Sequence, residues 1–241
     1  MHGSSRFALS LSALAVGLSV VLVQGCATTG TTPVTQQGSA RRVPGELTVE
    51  SYEVLERGVL DELNRVRANP KDYASGLERD LQYYHGNLFR RPGDDSALET
   101  REGTGAVREA IRVLRQTRPM GTLRASAGMT LGARDHVKDQ APRGLMNHKG
   151  TDGSMAWDRV SRYGDWKTKI SENMTFGPST ARDVVEALVV DDGISDRGHR
   201  KNILDPDVKL VGISCGPHKL LRVMCDMVEA GGFTEHQAEH R

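Results

Sequence analysis

The chain has 241 residues, 37% hydrophobic and 26% charged, with a formal net charge of +1, which suits one globular domain or two small ones and excludes a disordered or fibrous chain. Residues 1–25 carry a single formal charge, Arg6, so without them the balance is +1 − 1 = 0. A neutral chain offers no global field to attract nucleic acid, and nucleic acid is not an expected partner.

The amino terminus has the layout of a processing signal. Arg6 supplies a positive start, and Phe7 to Val23 is an unbroken run of apolar and small residues ending in Val23-Gln24-Gly25-Cys26. That ending resembles a bacterial lipobox, which predicts a lipoprotein signal peptide over 1–25 and lipidation of Cys26. The alternative is an uncut anchor helix, for which ~17 apolar residues are near the lower limit. A diacylglyceryl group plus an amide-linked acyl chain would anchor the chain stably. Ala27, rather than Asp, after the Cys resembles an outer-membrane sorting signal. The expected location is the cell envelope, lipid-anchored, the outer membrane before the inner, with the domain in the periplasm or outside the cell. From Cys26 to Leu47 the chain is rich in Thr, Gly, Ser, Gln and Pro, the composition of a flexible tether.

Helical periodicity follows. Tyr52, Leu55, Val59, Leu63 and Val66 recur every three or four residues, with Thr48 as N-cap and Asn69-Pro70 as the stop. A second, short helix starts on Pro70 and buries Tyr73, Leu77 and Leu81. Asn87 to Gly105 has turn chemistry and no period, so it is expected as a loop or insertion. The period returns at Val107, Ala110, Ile111 and Leu114, again from the Ser126 cap through Met129, Ala133 and Val137, and again at Val184, Val185, Leu188 and Val189 after Thr180.

The end of the chain changes period. Val208 to Cys215 and Leu220 to Val228 are β-rich runs bracketing Gly216-Pro217-His218-Lys219, the pattern of a hairpin. Helices come first and an antiparallel sheet is completed late. The expected domain spans 48–233, with a polar tail over 234–241. Cys215 and Cys225 are equidistant from the hairpin centre, and in an oxidising envelope a disulfide follows; the alternative is a buried thiol pair.

Any chemistry falls to histidines and acids. His2, His236 and His240 lie in terminal segments, His136 is expected as a boundary residue on a helix, and His85 and His218 sit in turn-like contexts. His148 and His199 stand apart, in glycine-flanked loops whose side chains can enter a cleft. Asp191 follows Leu188 by three residues and continues the apolar face of its helix. A carboxylate at a helix C-terminus opposes the macrodipole and calls for a cation or partner.

Asn64-x-x-Arg67-x-x-Pro70, a His after a long helix, Glu172-Asn173-Met174 and Gly198-His199-Arg200-Lys201-Asn202-Ile203-Leu204, in this order, resemble the bacterial CAP/SCP superfamily (cysteine-rich secretory protein, antigen 5, pathogenesis-related 1) over about Val54 to Phe233. The resemblance implies an α+β fold, an α-β-α sandwich with a central antiparallel sheet. It also implies a tetrad of two His and two acids around a cavity that often holds a divalent cation, carried here by His148, Glu172, Asp191 and His199. Asp191 stands where the family usually has Glu, one methylene longer, and Asp192 is the alternative one residue on. The insertion between Asn87 and Thr122 exceeds the minimal family domain and is expected to roof the cleft.

Neutral imidazoles supply nitrogen donors for a divalent cation, Zn²⁺ foremost, with the carboxylates orienting them or holding a water. Three functions follow: an envelope module whose cavity binds a cation or small ligand, a metal-assisted, peptidase-like hydrolase, and a structural protein with an inert cavity. Expected partners are the membrane, through the N-terminal lipid, and an envelope lipid, glycan or protein. No serine triad frame, His-Glu-x-x-His, P-loop or dinucleotide fingerprint is present, and no residue is assigned as catalytic.

Overall fold

A computed structural model describes residues 48–94 and 96–237; the expected signal peptide, Cys26, the tether and the end of the polar tail lie outside them. Helix α1 (Val49–Ala68) opens where Thr48 Oγ1 accepts the Ser51 amide at 3.1 Å, and it stops at Asn69. Pro70, which has no amide hydrogen to leave unpaired, takes the first position of α2 (Pro70–Asp80).

The stretch expected as an irregular loop contains three antiparallel two-residue strands, β1 (Tyr84–His85), β2 (Leu88–Phe89) and β3 (Leu98–Glu99). Strands this short have no period for a sequence to display. Helix α3 (Thr104–Gln116) follows and buries Val107, Ala110, Ile111 and Leu114.

The main sheet holds β4 (Arg124–Ala125), β5 (Gly164–Phe176), β6 (Leu210–His218) and β7 (Arg222–Glu235) in the order β4-β6-β7-β5. β7 pairs antiparallel with both β5 and β6, whereas β4 joins β6 in parallel. The sheet is therefore antiparallel except at that short edge, where the chain makes the long crossover that parallel pairing requires.

Helices α4 (Ala127–Gln140, capped by Ser126) and α5 (Ala156–Val160) cover one face of the sheet. α1 and α6 (Ala181–Val190, capped by Thr180) cover the other, and α7 (Gly198–Ile203) packs against α6 and β5. Alternation along β7 builds both cores at once: Val228 and Ala230 pack with Met129, Ala133 and Val160, while Met227 packs with Leu63, Leu188 and Ile213. Each fully buried Val, Leu or Met side chain among them contributes about 1.5–3 kcal/mol. α4 lies so close to β6 that a Cβ on Gly212 would fall 2.1 Å from the Met129 carbonyl carbon.

The β6–β7 register sets Cys215 opposite Cys225, and the two form a disulfide with a Cα–Cα distance of 4.1 Å. The turn is not at residues 216–219 as expected. Gly216, Pro217 and His218 remain paired within β6, and the chain reverses over Lys219–Leu221. β7 also runs two residues beyond the expected domain end at Phe233, because Glu235 accepts the Ser126 hydroxyl at 2.7 Å and the Gly128 amide at 2.8 Å, fastening the strand to the start of α4.

Candidate functional site

The candidate residues gather beside β5, which among the described residues is an edge strand paired with β7 alone. Glu172 and Asn173 are consecutive on it, so their side chains leave opposite faces. On the α4/α5 side, Glu172 Oε2 accepts from His148 Nδ1 at 2.7 Å. On the other, Asn173 Nδ2 donates to the His199 carbonyl at 3.4 Å, and Asn173 Oδ1 accepts from Asn202 Nδ2 at 2.9 Å. The Glu-Asn element thus holds both histidine segments from adjacent positions of one strand.

The second pair lies at the α6–α7 junction. Asp191, the left-handed C-cap of α6 (φ 59°), is 2% exposed. Its Oδ1 accepts from His199 Nδ1 at 2.7 Å, and its Oδ2 accepts the His199 amide at 3.0 Å and the Arg200 amide at 3.3 Å. The macrodipole penalty anticipated for a carboxylate at this end of α6 is met by those amides. Asp192, the alternative, faces the insertion instead and accepts the Arg101 and Glu102 amides at 2.6 and 2.9 Å.

The structure therefore joins the four residues as two His/carboxylate pairs. In each pair the acid is buried and the ring is part-exposed: side-chain exposures are 5% for Glu172 and 1% for Asp191, against 49% for His148 and 25% for His199. A neutral ring that donates from Nδ1 carries its lone pair on Nε2. Neither Nε2 has a hydrogen-bond partner among the described residues.

The insertion braces the loop behind one of these rings. Arg197, left-handed at φ 54°, donates to Glu102 on the insertion, to Glu109 on α3, and to the Asp191 carbonyl at 2.7 Å. Glu109 also accepts from Arg200 at 3.0 Å.

Sequence reasoning missed the polar layer behind Glu172. Arg159, on α5 and 2% exposed, forms an ion pair with Glu172 and donates to the carbonyls of Ser154 at 2.9 Å and His148 at 3.3 Å. Burial works to raise the Glu172 carboxyl, but His148 and Arg159 outweigh it and hold it below the usual carboxylate value. Burial, reinforced by Glu172, pushes the fully enclosed Asp226 well up. A protonated Asp226 carboxyl that donates to Glu172 accounts for that direction, against the pull of Arg159 and the Met227 amide. His136, expected at a boundary, is completely buried, with Nε2 2.8 Å from the Asn147 carbonyl; burial and Arg159 depress its pKa and keep it neutral.

Across the strand Glu229 is buried and hydrogen-bonded by Ser171 at 3.1 Å and Asn173 at 3.3 Å. Burial lifts its carboxyl from 4.5 to about 7, against the pull of Ser171 and Arg67. The folded state then keeps a proton between pH 4.5 and 7 that the unfolded state has released, so this group's contribution to stability falls as pH rises through that window. Glu229→Gln should leave stability near pH 4.5 little changed and raise it at pH 8 by up to ~3 kcal/mol, as measured by urea unfolding at both pH values. An equal effect at the two pH values would contradict the burial argument.

The carboxylate oxygens are occupied by ring, guanidinium and amide donors, and among the described residues no three His, Cys, Asp or Glu side chains are grouped to hold a metal ion. The donors left for a cation are the two imidazole Nε2 atoms, with the carboxylates behind the rings, where they fix tautomer and orientation. A groove of about 540 Å³ between α1 and α6, lined by Thr48, Val54, Leu55, Gly58, Thr180 and Ala181 among others, shares no residue with either pair.

A three-layer α+β domain with two His/carboxylate pairs beside one sheet edge is the class that fold and site define. Residues 108–227 match the model of the family described as CAP, the cysteine-rich secretory protein family, and the chain belongs to that family. The match contains all four paired residues; α1, α2 and the β1–β3 segment precede it. No curated protein matches the chain. Solved structures similar to it include an outer surface protein from Borrelia burgdorferi, at 14% identity and a TM-score of 0.41 over 51% of this chain and 92% of that one. An extracellular protein containing an SCP domain from Bacillus anthracis aligns at 17% identity and a TM-score of 0.39 over 50% of this chain and 37% of that one.

Proposed function

We propose that the chain is an exported, lipid-anchored CAP-domain protein of the cell envelope, in which His148 and His199 take up a divalent cation, zinc foremost, or a small ligand through their Nε2 atoms. The observation that carries this reading is the repeated arrangement of the two pairs: a buried carboxylate holds Nδ1 and leaves Nε2 bare at the surface. Carboxylate-backed imidazoles are the usual outer-shell pattern of metal-binding histidines. A bound zinc ion would supply Lewis acidity and a coordinated water. Export and anchoring at Cys26 are supported by Val23-Gln24-Gly25-Cys26 behind its apolar run, and Ala27 favours the outer membrane.

Zinc titration of the purified chain by isothermal calorimetry tests the reading. One ion per chain is expected, with His148→Ala or His199→Ala each abolishing uptake and Glu172→Gln or Asp191→Asn weakening it by roughly 10–100-fold. Uptake unchanged in His148→Ala would overturn it. No uptake at all, together with lowered melting in both alanine variants, would leave the pairs as a structural network.

A further inference from the structure

The β6–β7 turn carries leucines where hairpin turns ordinarily carry Gly, Asn or Asp. Leu220 is 67% and Leu221 37% exposed. Their presentation is built rather than loose. His218, itself buried, accepts the Leu220 and Leu221 amides at Nδ1, at 3.3 and 3.1 Å, and donates from Nε2 to the Leu145 carbonyl at 3.1 Å. The Lys219 amide donates to the Ala141 carbonyl at 3.0 Å, and the Val223 amide closes back on Leu221 at 2.7 Å. Arg222 takes a left-handed conformation at φ 66°, and the Cys215–Cys225 bridge ties the strands just behind. A buried histidine, a disulfide and a strained backbone thus hold Leu220 largely, and Leu221 partly, out in water.

The charged residues of the turn itself have one sign. Lys219 and Arg222 flank the leucines, and neither forms an ion pair among the described residues. Met146, 53% exposed, follows the Leu145 that His218 holds. A convex two-leucine tip is far smaller than the ~800 Å² per partner of an ordinary protein interface. Apolar side chains bracketed by free cations fit instead the boundary between acyl chains and anionic headgroups. We propose that this turn is a lipid-contact site, in which Leu220 and Leu221 enter the interface of an anionic bilayer while Lys219 and Arg222 remain with the headgroups. The proposal is independent of the cation reading.

The test uses the full chain carrying Leu220→Trp, with Leu221→Trp as a second reporter, and vesicles with brominated acyl chains made of phosphatidylcholine alone or mixed with phosphatidylglycerol. The parent chain corrects for Trp157 and Trp166. However the amino terminus associates, the added fluorescence responds only to the turn. In anionic vesicles it should shift to the blue and be quenched by bromine, and Lys219→Glu with Arg222→Glu should lower the quenched fraction at least tenfold. No added quenching by anionic vesicles in either reporter overturns the proposal. So does a blue shift without vesicles that grows with protein concentration, since a second copy of the chain would then be what covers the turn.

Discussion

Arg159→Met should lower the stability of the domain by about 3–5 kcal/mol, the range for removing one partner of a buried ion pair. Arg159 is the cation beside Glu172, whose other close partner is the His148 ring, and Glu172 also lies against the enclosed Asp226. Methionine matches much of the arginine volume, so the loss measures charge and hydrogen bonds more than a cavity. Glu172 would be left buried without the guanidinium that pairs with it, and the carbonyls of His148 and Ser154 would lose their donor. A natural domain has only about 5–15 kcal/mol in all, so the variant should unfold at markedly lower urea. Adding Glu172→Gln should restore part of the loss by removing the stranded charge. A single variant within 1 kcal/mol of the parent would mean that this layer does not support the site.

Arg67→Met should be comparably severe, for a different reason. Arg67 is 1% exposed and donates to four carbonyls: Gly121 at 2.9 Å, Ile203 at 2.7 Å, Asp205 at 2.9 Å and Val208 at 2.9 Å. These join α1 to the segment before β4 and to the chain between α7 and β6. Hydrogen bonds to a charged donor are worth ~1.5–3 kcal/mol each, and the sum is not additive, so about 4 kcal/mol is expected. Arg67→Lys should recover less than half, because an ammonium cannot reproduce the planar fork that reaches several carbonyls at once. Full recovery by lysine would mean that the charge, rather than the bonding pattern, is what the position needs.

Arg67 also shows why part of the fold was legible in the sequence. Asn64-x-x-Arg67-x-x-Pro70 signals an architectural clasp: Asn64 bonds both the amide and the carbonyl of Leu123 while Arg67 gathers its four carbonyls. The caps Thr48, Ser126 and Thr180 and the 3.6-residue periods behind them were readable because each is a local rule that nothing in the tertiary structure overrides. The two pairs were legible only as motifs. Glycine-flanked loops and a carboxylate at the wrong end of a helix mark His148, His199 and Asp191, but which acid serves which ring depends on the meeting of distant segments.

β5 was not legible as a strand, since Lys167-Thr168-Lys169-Ile170-Ser171-Glu172-Asn173 is too polar to show a buried face, and Thr168 (φ 75°) interrupts its register at a bulge. Arg159 was hidden because α5 spans five residues, too few for a period. Asp226 and Glu229 were hidden inside the hairpin's apolar alternation, where a carboxyl is admitted only once burial has favoured its protonated form. The turn was misplaced because Gly216-Pro217 has turn chemistry, yet the Cys215–Cys225 register carries the pairing three residues further, to His218 opposite Arg222.

The central claim is that two rings held by separate carboxylates serve one ligand. A crystal structure of the zinc-soaked chain, with diffraction recorded on either side of the zinc absorption edge, tests it most directly. One anomalous peak is expected, with His148 Nε2 and His199 Nε2 both within about 2.0–2.1 Å of it. Separate peaks on the two histidines, or a peak touching neither, would contradict it.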